Sequence, residues 1–284
     1  MMTTSPKAWQ KVVADGETEL LTLLPWILKD LGWLLLLHPL AFGAAAVALV
    51  ADVARIVDVW PRVGHGLRMF MLVETLWLVG NMIWMSSELF FFKQTQPAFS
   101  DLPWSTSPLF LTLPQDYDRG VALARAVLLA SLAALVLFFV GCSVGVLDLQ
   151  KSFPRESLAT SSEGLIFGFL PAACYKQLFI APWIVKDLCW TAEMGWGVFL
   201  FGVVVLVLGA DCVRRFRCSV FVVELLWFCG NAVWAYSELY REDSSFAPRG
   251  VAALMLSLGV GAAVMGIAGA RSEGRCVDEQ TALI

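Results

Sequence analysis

The chain has 284 residues, 58% of them hydrophobic and only 15% charged, and a net charge of −4. Soluble domains carry about 45–50% apolar and about 25% charged residues, so this composition, with a mean hydropathy of +0.72, belongs to an all-α, multi-pass integral membrane protein whose first partner is the lipid bilayer. The basic residues are scattered rather than gathered on one face, which excludes nucleic acid as a partner.

In chain order, residues 1–19 carry Lys7, Lys11, Asp15, Glu17 and Glu19 and lack the apolar core of a cleaved signal peptide, so the first hydrophobic segment is expected to act as an uncleaved insertion signal. A polar-aromatic element follows, Pro25-Trp26-Ile27-Leu28-Lys29-Asp30-Leu31-Gly32-Trp33. Proline suits a first helical turn, and Trp26 and Trp33, seven apart, share a face. The element is expected to be interfacial, with its indoles at headgroup level and Lys29 and Asp30 in the wetter layer. The alternative makes Asp30 the guard of a pathway entrance or the partner of a basic residue on another helix.

Spans are expected over residues 33–53, 68–91 and 120–147, each long enough at 1.5 Å per residue to match a hydrocarbon core of about 30 Å. Between the second and third, residues 93–118 hold Pro97, Pro103, Pro108 and Pro114, which excludes a regular helix and predicts an extended connector or, less simply, a lid. Residues 164–180 are apolar but short, and they contain Pro171, Lys176 and Gln177. They read as an interfacial or re-entrant segment, the alternative being a seventh span. The polar-aromatic element then returns as Pro182-Trp183-Ile184-Val185-Lys186-Asp187-Leu188-Cys189-Trp190, and spans are expected over residues 190–210, 220–240 and 250–270.

The middle spans also recur. Residues 74–90 read ETLWLVGNMIWMSSELF and residues 224–240 read ELLWFCGNAVWAYSELY, with nine of seventeen positions identical, and the retained positions include the costly polar ones. Arg119-Gly120-Val121-Ala122 matches Arg249-Gly250-Val251-Ala252 as a third marker. The organisation expected is therefore an N-terminal tail and first three-helix unit (1–147), a linker (148–181), and a second three-helix unit with a short tail (182–284). Three spans per unit without an extra crossing would insert the second unit upside down, whereas a seventh span would make the units parallel. Basic residues divide almost evenly between the two sides of a six-span chain, so they do not orient it. The arginine clusters Arg55, Arg62, Arg68 and Arg214, Arg215, Arg217 favour parallel units.

Glu74, Asn81 and Glu88 are spaced by seven, with Trp77 and Trp84 between them, so they form one stripe along a helix; Glu224, Trp227, Asn231, Trp234 and Glu238 form another. A snorkelling glutamate, a belt tryptophan or an amide sealing a helix contact would explain any one of these alone. Together they suit a cation, because a carboxylate at depth can exchange a proton for a positive charge and indole faces attract organic cations. The stripes are the candidate pathway for a small cationic solute or a proton. Facing each other, they would bring Asn81 and Asn231 together, with a glutamate pair towards each membrane face.

Catalytic readings find little. His38 and His65 lack a metal-ligand pattern, and no Gly-x-Ser-x-Gly or phosphate-binding glycine loop is present. Seven cysteines in no ligand spacing suggest neither a disulfide framework nor a metal site. No cofactor is expected. A small secondary transporter or channel-like protein is the leading expectation, and a non-transporting scaffold, assembly factor or accessory subunit is the alternative.

Overall fold

The computed structural model describes residues 6–90, 117–152, 165–166, 170–216, 218–240 and 246–282. The principal helices are α1 (Pro6–Leu34), α2 (His38–Val59), α3 (His65–Phe90) and α4 (Tyr117–Ser143). After the one-turn α5 (Leu149–Ser152), the two-residue strands β1 (Leu165–Ile166) and β2 (Leu170–Pro171) pair antiparallel, and the short α6 (Ala172–Gln177) follows. The remainder is α7 (Ile180–Thr191), α8 (Gly195–Phe216), α9 (Ser219–Tyr240) and α10 (Phe246–Ala282). Six helices, α2, α3, α4, α8, α9 and α10, are long and apolar enough to cross a membrane. Their outward faces carry exposed Val50, Val57, Leu137, Phe199 and Met265, as a lipid-facing surface requires. The expected proline-rich connector lies outside the described residues, apart from the first residues of α4. Of residues 164–180, those described form the strand pair, α6 and the start of α7, none long enough to span.

The structure departs from the expected layout where α1 and α7 lie. The polar-aromatic elements are not at the rim: Trp26, Lys29, Asp30 and Trp33, like Trp183, Lys186, Asp187 and Trp190, are all buried inside the helical bundle. Each helix turns back sharply onto the span that follows it. The Leu37 amide donates to the Gly32 carbonyl and Leu36 takes a left-handed φ of 58°. In the second half the Met194 amide donates to the Cys189 carbonyl and Glu193 takes φ 57°. This is the helix-ending motif that glycine usually serves, built here twice on residues with side chains. Sequence reading ran the first span from Trp33 through this turn because three leucines conceal it, whereas α2 begins at His38. The fourth span likewise begins at Gly195 rather than Trp190.

Tryptophan contacts set the relative direction of the two halves. Trp26, Trp77, Trp183 and Trp227 form one layer, with neighbouring ring centroids 4.9–5.9 Å apart. Trp33, Trp84, Trp190 and Trp234 form a second, all edge-to-face at 5.0–5.2 Å. Within each of the four helices the chain passes from the first layer to the second over seven residues, about 10 Å of rise. So α1, α3, α7 and α9 all run the same way. Two halves related by inversion would put Trp26 in a layer with Trp190. The expected antiparallel arrangement is thus corrected to a parallel one, with the pseudo-twofold axis along the bundle. The reason is α1 and α7: each half has an even number of helical passes, four, once they are included.

The outer helices also correct one marker. Gly80 packs on Leu128 and the Ala124 carbonyl, and Gly230 packs on Leu256 and the Ala252 carbonyl. Ala124 therefore corresponds to Ala252, two residues out of register with the Arg-Gly-Val-Ala match. In keeping with this, Gly120 is buried against Ser87 and Gly250 is exposed. A four-residue match does not carry register; the buried face does.

Candidate functional site

Between the tryptophan layers lies a polar core of two near-identical halves. Asp187 of α7 accepts from Trp77 Nε1 at 2.7 Å and from Asn81 Nδ2 at 3.3 Å, while its other oxygen pairs with Lys186 Nζ at 2.8 Å. Asp30 of α1 accepts from Trp227 Nε1 at 2.7 Å and Asn231 Nδ2 at 3.2 Å and pairs with Lys29. Each aspartate thus serves the stripe of the opposite half. Asn81 and Asn231 also donate to the Trp77 and Trp227 carbonyls one turn back. The expected central Asn81–Asn231 contact gives way to these two Asp-centred clusters because α1 and α7 pack between α3 and α9. The basic partner expected from another helix is not what Asp30 and Asp187 take: each pairs with the lysine that precedes it in its own helix, and an indole and an amide N–H are what reach it from the opposite half.

Burying an ion pair is tolerated only when hydrogen bonds occupy the remaining lone pairs. Here two N–H donors do so on each carboxylate, and the lysines gain aromatic contact: Lys186 Nζ lies 4.8 Å from the ring centres of both Trp183 and Trp190, and Lys29 Nζ lies 5.3 Å from Trp33. Each edge-to-face ring pair adds about 0.5–1.5 kcal/mol beyond area burial.

Beyond the second layer, Glu88 accepts from Trp33 Nε1 at 2.9 Å and Trp84 Nε1 at 2.8 Å. Glu238 accepts from Trp190 Nε1 at 3.2 Å and Trp234 Nε1 at 2.6 Å, and lies 3.3 Å from Arg249. Here donor and acceptor come from the same half. These glutamates are indole acceptors, with little open space around them.

The other end of the bundle differs. Below Trp26 and Trp77 a cavity of about 100 Å³ opens, and Glu74 and Glu224, the first glutamates of the two stripes, both line it. Asp52 and Arg55 of α2 enter the same space, as do Glu19 and Lys176. Glu74 pairs with Arg55. Asp52 is 4% exposed and its Oδ2 accepts no hydrogen bond. Short α6 closes one side and is pinned to the end of α8: the Tyr175 hydroxyl donates to Asp211 at 2.5 Å, and Lys176 Nζ lies 4.3 Å from the Phe216 ring. Burial and the Asp211 carboxylate push the Tyr175 hydroxyl up to about 12, so it remains a donor throughout the physiological range.

Sequence reasoning singled out both stripes but not Asp52, and it noted Arg55 only as a topology marker. The signal was present: two ionisable residues three apart inside an otherwise apolar span, where such groups are costly. Among the described residues no group of three or more His, Cys, Asp or Glu side chains could hold a metal ion. No protein-family model, curated protein or solved structure matches the chain.

Proposed function

We propose that the chain is a duplicated unit of three spans and one enclosed helix, working as a small secondary transporter or channel-like protein for a cation or cationic solute. The observation that carries this reading is the convergence of Glu74 and Glu224, from corresponding places in the two halves, on one cavity that also holds Asp52. Parallel repeats with polar groups gathered on the axis are a transporter architecture. The reading is non-enzymatic, since the central polar side chains are spent on one another. The pathway runs from the cavity, past the Trp26 and Trp77 layer and the Asp-centred clusters, to Glu88 and Glu238. In this state the tryptophan layers close it, so transport requires them to part.

The test is reconstitution of the full chain in proteoliposomes. Glu74→Gln and Glu224→Gln, which keep shape and most hydrogen bonding, are expected to retain the fold and abolish pH-dependent cation flux. A second reading, a scaffold or accessory subunit, is favoured by the buried clusters at Asp30 and Asp187, whose carboxylates take a lysine and two N–H donors each. Unchanged flux in the Gln variants, with a shifted melting temperature or a lost co-purifying partner, would establish that alternative.

A further inference from the structure

The two halves agree closely at the tryptophan layers and part company at the cavity. Carried through the shared turn, the correspondence of Trp33 with Trp190 sets Ala41 beside Val198, Ala48 beside Val205, Asp52 beside Gly209 and Arg55 beside Cys212, and both members of each of the first three pairs are buried. The second half therefore has neither the aspartate nor the arginine. Its equivalent space is filled instead, with the Phe228 ring lying against Gly209 so closely that a Cβ there would come within 3.0 Å of it. The cavity at Asp52 thus has no acidic counterpart at Gly209, and its lining is acidic. Glu74 has its guanidinium partner, whereas its counterpart Glu224 faces Cys212 and forms no hydrogen bond or ion pair among the described residues.

Three features describe what fits. Four carboxylates, Glu19, Asp52, Glu74 and Glu224, line the cavity with two cations, of which Arg55 is committed to Glu74 and Lys176 rests on the Phe216 ring, so the vacant partner is positive. The absence of a three-ligand cluster among the described residues argues against a metal ion. The buried Asp52 Oδ2 lacks a hydrogen-bond donor, and a carboxylate oxygen so placed costs free energy until an N–H or O–H reaches it. A quaternary ammonium has no N–H to give; a primary ammonium has three. The indole of Trp26 lies beside Asp52 and lines the cavity, offering apolar surface for the carbon attached to such a nitrogen.

We infer that this cavity binds a protonated primary amine, its ammonium held between Asp52 and Glu224 and its first carbons against Trp26, as an untethered counterpart of the Arg55–Glu74 pair. This deepens the cation-transport proposal and rests on it for the physiological meaning of the site, although binding itself can be measured without transport. The experiment is calorimetric titration of the purified full chain in detergent with ethylammonium chloride and, separately, tetramethylammonium chloride at constant ionic strength. Ethylammonium is expected to bind saturably and tetramethylammonium at least about tenfold more weakly, the difference that hydrogen bonds to charged groups confer. Glu224→Gln and Asp52→Asn should each weaken ethylammonium binding by about tenfold or more, while Asp118→Asn, exposed at the opposite end of the bundle, should not. The wild-type selectivity needs no variant, so a misfolded variant does not obscure the result. Equal binding of the two cations, or no saturable binding of either, overturns the inference. Amine binding without flux in proteoliposomes keeps the site and removes the transport reading; proton or cation flux without amine binding does the reverse.

Discussion

Asp30 and Asp187 each take two N–H donors from the opposite half in addition to the lysine that precedes them. Converting Asp30 to Asn preserves an acceptor for Trp227 and Asn231 but strands the Lys29 ammonium, which is 1% exposed. Removing one partner of a buried pair costs about 3–5 kcal/mol, whereas removing both together is often neutral. Asp30→Asn is therefore expected to destabilise by that amount and Lys29→Met/Asp30→Asn to recover most of it, measured by unfolding in detergent. A single variant as stable as wild type would show that the pair does not hold the core. Asn81→Ala, which removes two donated bonds and leaves Asp187 with Trp77 and Lys186, is expected to cost about 1–2 kcal/mol in the same assay.

The hairpins from α1 into α2 and from α7 into α8 are the elements most exposed to test. Leu36 and Glu193 hold left-handed backbone conformations that disfavour side chains. Leu36→Gly also removes a half-buried side chain packed on the core and should not stabilise, whereas Glu193→Gly, at an exposed position, should stabilise by about 0.5–1 kcal/mol, the relief of strain exceeding the entropy that glycine adds to the unfolded chain. Gly32→Ala has the opposite sign. A Cβ there would meet the Ala41 backbone, with its Cα at 2.9 Å, and backbone cannot swing aside, so a loss of about 1–3 kcal/mol is expected. Gly80→Ala meets instead the end of the Leu128 side chain and should cost less. Equal losses for the two glycines, read from thermal melts, would refute the tight hairpin. The first turn itself carries no mark, since Leu35-Leu36-Leu37 contains no glycine or proline and a run of leucines reads as span; only Pro39, in the first turn of α2, signals that a helix starts there.

At the scale of the whole molecule the parallel halves bring Arg55, Arg62 and Arg68 to the same end as Arg214 and Arg215, together with the cavity. Arg119, Arg125 and Arg249 lie at the other end, where α4 and α10 begin. By the positive-inside rule the cavity end is expected on the cytoplasmic side. Single cysteines at Leu35 and Ala192, both exposed beside the hairpin turns, are expected to react with an impermeant reagent from the outer side in a chain freed of its own cysteines. Cysteines at Pro61 and Arg214 should react only from the cytoplasmic side. Labelling of Leu35→Cys and Ala192→Cys from opposite sides would mean antiparallel halves and would overturn the twofold axis drawn from the tryptophan layers.

The membrane class, the six apolar spans, the two polar stripes on the middle helices and the pairing of the Pro-Trp elements are all readable along the chain. Each of these is written in local hydropathy or in residue identity at fixed spacing. Tertiary structure alone decided where α1 and α7 go. A helix bearing Lys29 and Asp30 reads as interfacial when judged against lipid, yet a helix enclosed by protein needs no apolar exterior, only partners for its charges. Those partners, Trp227 and Asn231 for Asp30 and Trp77 and Asn81 for Asp187, lie far away in the chain. The direction of the second half and the acidic cavity at Asp52 follow from the same enclosure, because both depend on which side chains meet across helices rather than along one.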